Sequence, residues 1–186
     1  MGKTILKSLL LVLLPCMAAS AALAAEDAYY IGPGDALEIS VWRDESLTRQ
    51  IIVPPDGVIS FPLIGDIDVT HMTVRDVRNE IKKKLSEYVP DATVTVIILG
   101  FDSLKAYVIG KVNNPGEFPI TMETDVMQIL AKAGGLNAFA AAGKINILRR
   151  SQGKNVKIPF DYKEVLKGEN LEQNIILQRG DVVVVP

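Results

Sequence analysis

The sequence predicts an α+β protein built from two consecutive small mixed units, each with one main helix packed on a short-stranded sheet. Three observations carry that expectation. Apolar and polar residues alternate at period two in short runs such as Leu37 to Trp42. The period switches to helical spacing in two main segments. Clusters of Gly, Pro, Asp and Asn separate the runs, as turns require. Composition agrees, since 48% hydrophobic and 23% charged residues describe a folded globular chain.

The first residues set the compartment. Lys3 and Lys7 precede an apolar core from Leu9 to Met17, and Ala22-Leu23-Ala24 fits the small-x-small cleavage pattern. This is a secretory signal peptide over residues 1–24, with cleavage after Ala24 and Ala25 as the less favoured alternative. The protein is therefore expected to be exported to the periplasm. Cys16 follows Leu13-Leu14-Pro15, but lipid attachment wants a small residue where Pro15 stands, so Cys16 reads as part of the discarded peptide. Cleavage leaves 162 of the 186 residues, no cysteine, and a formal charge moved from −2 to −4. An acidic mature chain argues against nucleic acid as a partner and fits poorly with docking on an anionic bilayer.

In the first unit, Ile31-Gly32-Pro33-Gly34-Asp35 is a tight turn launching the strand in which Leu37, Ile39 and Val41 face one way. A second strand ends at Val53, and Pro54-Pro55-Asp56-Gly57 turns the chain into Val58 to Phe61. Pro62-Leu63-Ile64-Gly65-Asp66 makes another turn, followed by an extended run to Val69. Val74, Val77, Ile81, Leu85 and Tyr88 then recur at helical spacing between Thr73 and Val89. Thr73 with Asp76 three residues later resembles a capping box, and Pro90 stops the helix. Thr93 to Leu99 is nearly continuously apolar and β-branched, which predicts a central strand.

The second unit opens near Leu104. Ala106 to Ile109 is a strand, Asn113-Asn114-Pro115-Gly116 a turn, and Phe118 to Ile120 a returning strand. Thr124 caps a helix carrying Val126, Ile129, Leu130 and Ala133, which Gly134-Gly135 ends. Ile145 to Arg149 and Val156 to Phe160 form a hairpin about Ser151-Gln152-Gly153, with a helical turn from Tyr162 to Lys167 after it. Ile175 to Leu177 leads through Arg179-Gly180-Asp181 into Val182 to Val185. Gly-Asp thus precedes an apolar strand twice, at Gly34-Asp35 and Gly180-Asp181. One helix among several short strands makes the second unit β-grasp-like. The division falls near Phe101 to Leu104, giving units over residues 25–102 and 103–186.

From Tyr30 through Leu99, the first unit resembles the polysaccharide biosynthesis/export domain of outer-membrane polysaccharide export proteins. The matching residues are Ile31 to Asp35 with the strand Leu37 to Trp42, Val53 to Gly57, Phe61 to Gly65, the Thr73 helix and the strand Thr93 to Ile98. The second unit is similar to the soluble-ligand-binding β-grasp (SLBB) domain that follows it in that family. Its marks are Tyr107 to Val112 with Pro115-Gly116, Ile129 to Leu136 with Gly134-Gly135, and Leu177 to Pro186 around Gly180-Asp181. The resemblance implies a ring-like homo-oligomer of the periplasm or outer membrane, handling a capsular or extracellular polysaccharide. It also implies an inner-membrane polysaccharide copolymerase/tyrosine kinase as partner, with the polysaccharide chain itself. Larger family members add further domains and a C-terminal amphipathic helix that crosses the outer membrane, whereas this sequence stops at Pro186. A short form of this kind is expected to form or support a conduit and to leave the outer-membrane pore to a separate protein. The competing reading is a soluble periplasmic glycan-binding or sensing module with no transport role.

No enzyme is expected. Asp35, Asp56, Asp66 and Asp181 all stand beside glycine, where aspartate chiefly serves turns by accepting from nearby backbone N–H groups. Asp66 and Asp68 lack the opposing group a carboxylate pair would need. His71 is the only histidine, and neither a cofactor nor a metal site is expected. Trp42 is either a stacking platform for sugar rings or, the preferred reading, a packing contact with the second unit. Lys82-Lys83-Lys84 read as a solvated helix face. Arg149 and Arg150, at a hairpin end, are candidates for contact with glycan or partner.

Overall fold

The structure is a computed structural model that describes residues 28–151 and 153–186. The expected signal peptide, with the expected cleavage residues Ala24 and Ala25 and with Cys16, lies outside the described residues.

The chain forms an α+β fold of two units, each with its own core. In the first, strands β1 (Ala36–Val41), β2 (Asp44–Ile52) and β5 (Val94–Gly100) make an antiparallel sheet in the order β2-β1-β5. Strands β3 (Val58–Phe61) and β4 (Gly65–Asp68) form a separate hairpin. Helix α1 (Val74–Leu85) lies against β5. The two residues Trp42 and Arg43 alone connect β1 to β2, with Arg43 at a φ of 65°. The core gathers the period-two residues Leu37, Ile39 and Val41 with Val77, Ile81 and Leu85, the i, i+4, i+8 stripe of α1.

In the second unit, β6 (Lys105–Gly110), β7 (Gly116–Pro119), β8 (Ile145–Ser151), β9 (Lys154–Phe160) and β10 (Val182–Val185) form a five-stranded mixed sheet in the order β7-β6-β10-β8-β9. Strand β10 runs parallel to β6 and antiparallel to β8. Helix α2 (Val126–Lys132) places Val126, Ile129 and Leu130 in the core with Ala106, Val108, Ile145, Ile147 and Val183. The short α3 (Tyr162–Leu166) contributes Val165, and a single 3-10 turn follows at Leu171–Gln173.

Several elements depart from the sequence reading. Strand β5 is an edge strand, because β1 takes the central place. Its apolar run is not buried on both sides: Val94 and Val96 face the core while Ile97 and Leu99 remain 44% and 49% exposed. Helix α1 ends at Leu85, before the expected Val89. The Ser86 hydroxyl donates to Lys83 O at 2.7 Å, and the N–H groups of Tyr88 and Val89 both donate to Leu85 O, closing the last turn. Tyr88 is therefore exposed. The N-cap of α2 is Asp125, one residue after Thr124, and it forms a capping box with Gln128. Thr124 is buried and accepts from the Thr121 N–H at 2.8 Å. At the start of α1 the expected capping box of Thr73 and Asp76 is present with both bonds.

Candidate functional site

The two Gly-Asp segments form the same turn. Ile31 and Leu177 are buried just ahead of them, and Gly34 and Gly180 take φ of +94° and +80°, where glycine meets no Cβ penalty. In each, the aspartate N–H donates to the carbonyl three residues back, Gly32 O or Gln178 O, at 3.1 Å. Its carboxylate accepts the return bond from that residue's N–H, at 2.9 Å from Gly32 and 2.8 Å from Gln178. Each glycine N–H then reaches a neighbouring segment, Gly34 to Val53 O and Gly180 to Lys105 O, both at 2.8 Å.

Both aspartates are fully buried, and donors meet the oxygens that remain. Asp35 accepts from the Ser103 N–H at 2.9 Å and from the Tyr29 hydroxyl at 2.5 Å. Asp181 takes a two-pronged bond from Arg149, with Nη2 at 2.6 Å and Nε at 3.0 Å. Arg149 Nη2 also donates to Ile176 O. Every oxygen of these two carboxylates thus accepts at least one hydrogen bond within the fold.

The two turns meet where the units join. Arg179, inside the second turn, donates from Nη2 to Tyr30 O at 2.7 Å, and its guanidinium carbon stands 5.7 Å from the centre of the Tyr29 ring. Gly32 permits this approach, since a Cβ there would lie 1.9 Å from Arg179 Nη1. The Tyr29 ring meets Phe101 edge to face, centroids 5.2 Å apart. Burial pushes the Tyr29 phenol up to about 12, and its hydrogen bond to the Asp35 carboxylate adds to the effect. Two clefts flank the contact. One of about 260 Å³ lies toward Pro55, Asp56 and His71; the other, of about 470 Å³, lies toward Leu104, Thr121, Met122 and Ile176. Tyr30 and Arg179 line both. Concave sites at unit boundaries of this kind are where ligands most often bind.

The remaining sequence candidates divide. Asp56 caps its turn by accepting from the Val58 N–H at 3.1 Å, with Gly57 at φ +74°. Gly65 has a φ of +69°, but Asp66 belongs to β4, where it pairs across the hairpin with Ser60 and accepts from its hydroxyl. Asp66 is therefore a cross-strand partner and not a turn residue. Pro115 precedes Gly116, which opens β7. Gly134 and Gly135 end α2 at φ of +75° and +79°, and Asn113 Nδ2 donates to Gly134 O.

Trp42 does not pack on the second unit. It sits in the β1–β2 turn and is 72% exposed, because the strand stops one residue short of the alternation read from sequence. Arg149 is not a surface contact either, since Asp181 and the Ile176 carbonyl hold it. Arg150 is exposed on β8. Tyr29, Tyr30, Phe101, Ser103 and Arg179 form the junction without having been singled out from sequence. The only available signal was the doubled Gly-Asp turn, with an arginine inside its second copy. Among the described residues no group of His, Cys, Asp and Glu could hold a metal ion, and no helix is long and apolar enough to cross a membrane.

Residues 23–99 match the family described as polysaccharide biosynthesis/export protein, and residues 104–185 match the SLBB domain. The EPS I polysaccharide export outer membrane protein EpsA of Ralstonia nicotianae is 30% identical over 187 aligned positions, covering 87% of this chain and 48% of that protein. The exopolysaccharide production protein ExoF of Rhizobium meliloti is 32% identical over 142 positions, covering 68% of this chain and 33% of its own length. The capsule polysaccharide export outer membrane protein CtrA of Neisseria meningitidis is 26% identical over 170 positions, covering 81% and 42%. The chain thus spans about half the length of the first of these relatives and less of the others.

Proposed function

The chain belongs to the polysaccharide export protein family, with a polysaccharide biosynthesis/export domain followed by an SLBB domain, and from that premise we propose that it is a non-catalytic component of a capsular or extracellular polysaccharide export machinery. The observation that carries this reading is the succession of both domains over nearly the whole described chain. Relatives named for polysaccharide export support it. The two fully buried aspartates, Asp35 and Asp181, serve as turn locks, and Asp35 also accepts from Ser103, which agrees with a structural role for both.

In this reading the protein works in the periplasm or at the outer membrane as a homo-oligomer that lines or supports a glycan path. An inner-membrane polysaccharide copolymerase/tyrosine kinase stands on one side of it and an outer-membrane pore on the other. Exposed apolar side chains at loop and edge positions, Trp42 at 72%, Ile52 at 70% and Phe139 at 81%, supply surface for such contacts. This reading keeps the division of the two domains between residues 102 and 103, with the Ser103 N–H donating to Asp35 beside it. The test is genetic. A strain lacking the chain retains polymer in its envelope at the expense of the cell surface, whereas unaltered surface polymer would return the chain to the soluble glycan-binding modules.

A further inference from the structure

The second unit buries one face of its sheet and leaves the other open. Ala106, Val108, Ile145, Ile147, Val183 and Val185 point inward and are essentially inaccessible. The residues between them point outward. The strand registers align Glu117, Tyr107, Val182, Leu148 and Lys157 as one row across all five strands. Tyr107 and Leu148 in that row are each 40% exposed, and Ile109, two residues along β6, is 47% exposed.

Charged residues frame this apolar strip unevenly. Lys105 forms ion pairs with Glu117 at 3.5 Å and Asp102 at 3.7 Å, so the acid of the row is already matched. Arg150, which shares the face with Leu148 by strand alternation, and Lys157 make no ion pair among the described residues. The wider charge distribution points the same way. Residues 28–102 carry 7 Lys and Arg against 12 Asp and Glu, while residues 103–186 carry 11 against 8. An acidic chain thus contains a basic second unit.

We propose that this open face binds a carboxylate-bearing saccharide. Tyr107 and Leu148 offer a flat aromatic and aliphatic surface for the C–H faces of sugar rings. Arg150 supplies a planar fork matched to a carboxylate, and Lys157 a second cation on the neighbouring strand. The acid-rich first unit repels the same polymer and so directs it to the second unit. The other occupant this charge pattern admits is the acidic unit of a second copy. A half-covered strip with exposed cations is more polar than the centre of a lasting subunit interface, which favours the glycan. The proposal rests on the export reading for why a glycan is present, not for its affinity.

The test is calorimetric titration of the full mature chain with oligogalacturonate, and with neutral maltooligosaccharide of the same length. Oligogalacturonate binds with an affinity that falls as salt rises, and the neutral oligomer binds markedly more weakly. The double variant R150E/K157E, at two exposed positions, lowers the affinity about tenfold, in line with two partly screened charge contacts reversed in sign. K82E/K83E on α1 leaves it unchanged. No binding, equal binding of the neutral oligomer, or unchanged binding by R150E/K157E overturns the proposal. Sedimentation showing that R150E/K157E breaks up an assembly without affecting saccharide binding overturns it too, and assigns the face to a second copy. Failure here alongside an export defect in the strain lacking the chain would remove this site and leave the export reading intact.

Discussion

Asp181 is 1% exposed at its side chain, and its fit depends on Arg149, whose side chain is 17% exposed. Removing one member of such a pair strands the other in a dry environment, which is far worse than never having built the pair. Arg149→Ala is therefore expected to destabilise the second unit by about 3 kcal/mol, read as a lowered denaturant midpoint in equilibrium unfolding. A loss well under 1 kcal/mol would mean that water reaches Asp181 and that this ion pair is loose. The partners lie 32 positions apart, which explains why Arg149 read as a surface residue in the sequence. The aspartate was legible as a turn residue because its turn bonds are local, whereas its ion pair exists only once β8 and β10 are side by side.

Tyr29 makes a second statement at this scale. Its phenol is raised from 10.0 to about 12, so folding favours the protonated form. The stabilisation this provides is complete below about pH 10 and is lost as pH rises through about 12. Tyrosinate absorbance should show one of the five tyrosines ionising about two units above 10.0 in the native protein, with Tyr29→Phe removing that step. Titration of all five together near 10.0 would refute the buried contact with Asp35.

At the scale of elements, capping chemistry and hydrophobic period located most of the structure. The capping box of α1 and the paired glycines after α2 stand where the sequence puts them, because each depends on residues within three or four positions of one another. The misreadings come from elements whose limits are set at a distance. Whether β5 is central depends on which strand β1 chooses as its other neighbour, and an apolar run cannot distinguish double burial from a sheet face left open. The α2 cap shifted by one residue because Thr124 and Asp125 are both competent caps, and burial of Thr124 decides between them. Asp125→Ala should cost about 1 kcal/mol by leaving the Gln128 N–H without its acceptor. Thr124→Val, which caps nothing, should leave α2 helicity unchanged in circular dichroism, and the opposite ranking would restore Thr124 as the cap.

At the scale of the whole molecule, two small cores are joined through a polar junction in which each unit contributes one copy of the same turn. Asp35 reaches across to Ser103, and Arg179 reaches back to Tyr30, so the linkage is held from both sides. This was beyond the sequence, since Arg179 and Tyr30 are 149 positions apart and neither belongs to a periodic pattern. Net charge was a poor guide for a related reason: an overall −2 conceals an excess of acids in residues 28–102 and an excess of bases in residues 103–186.

Whether this protein serves polysaccharide export is decided by the ratio of polymer at the cell surface to polymer retained in the envelope. The ratio is measured in a strain lacking the chain and again after the chain is restored. For an export component the ratio collapses without the protein and recovers with it, at unchanged total synthesis or with precursor accumulating inside. An equal ratio in both strains would contradict it.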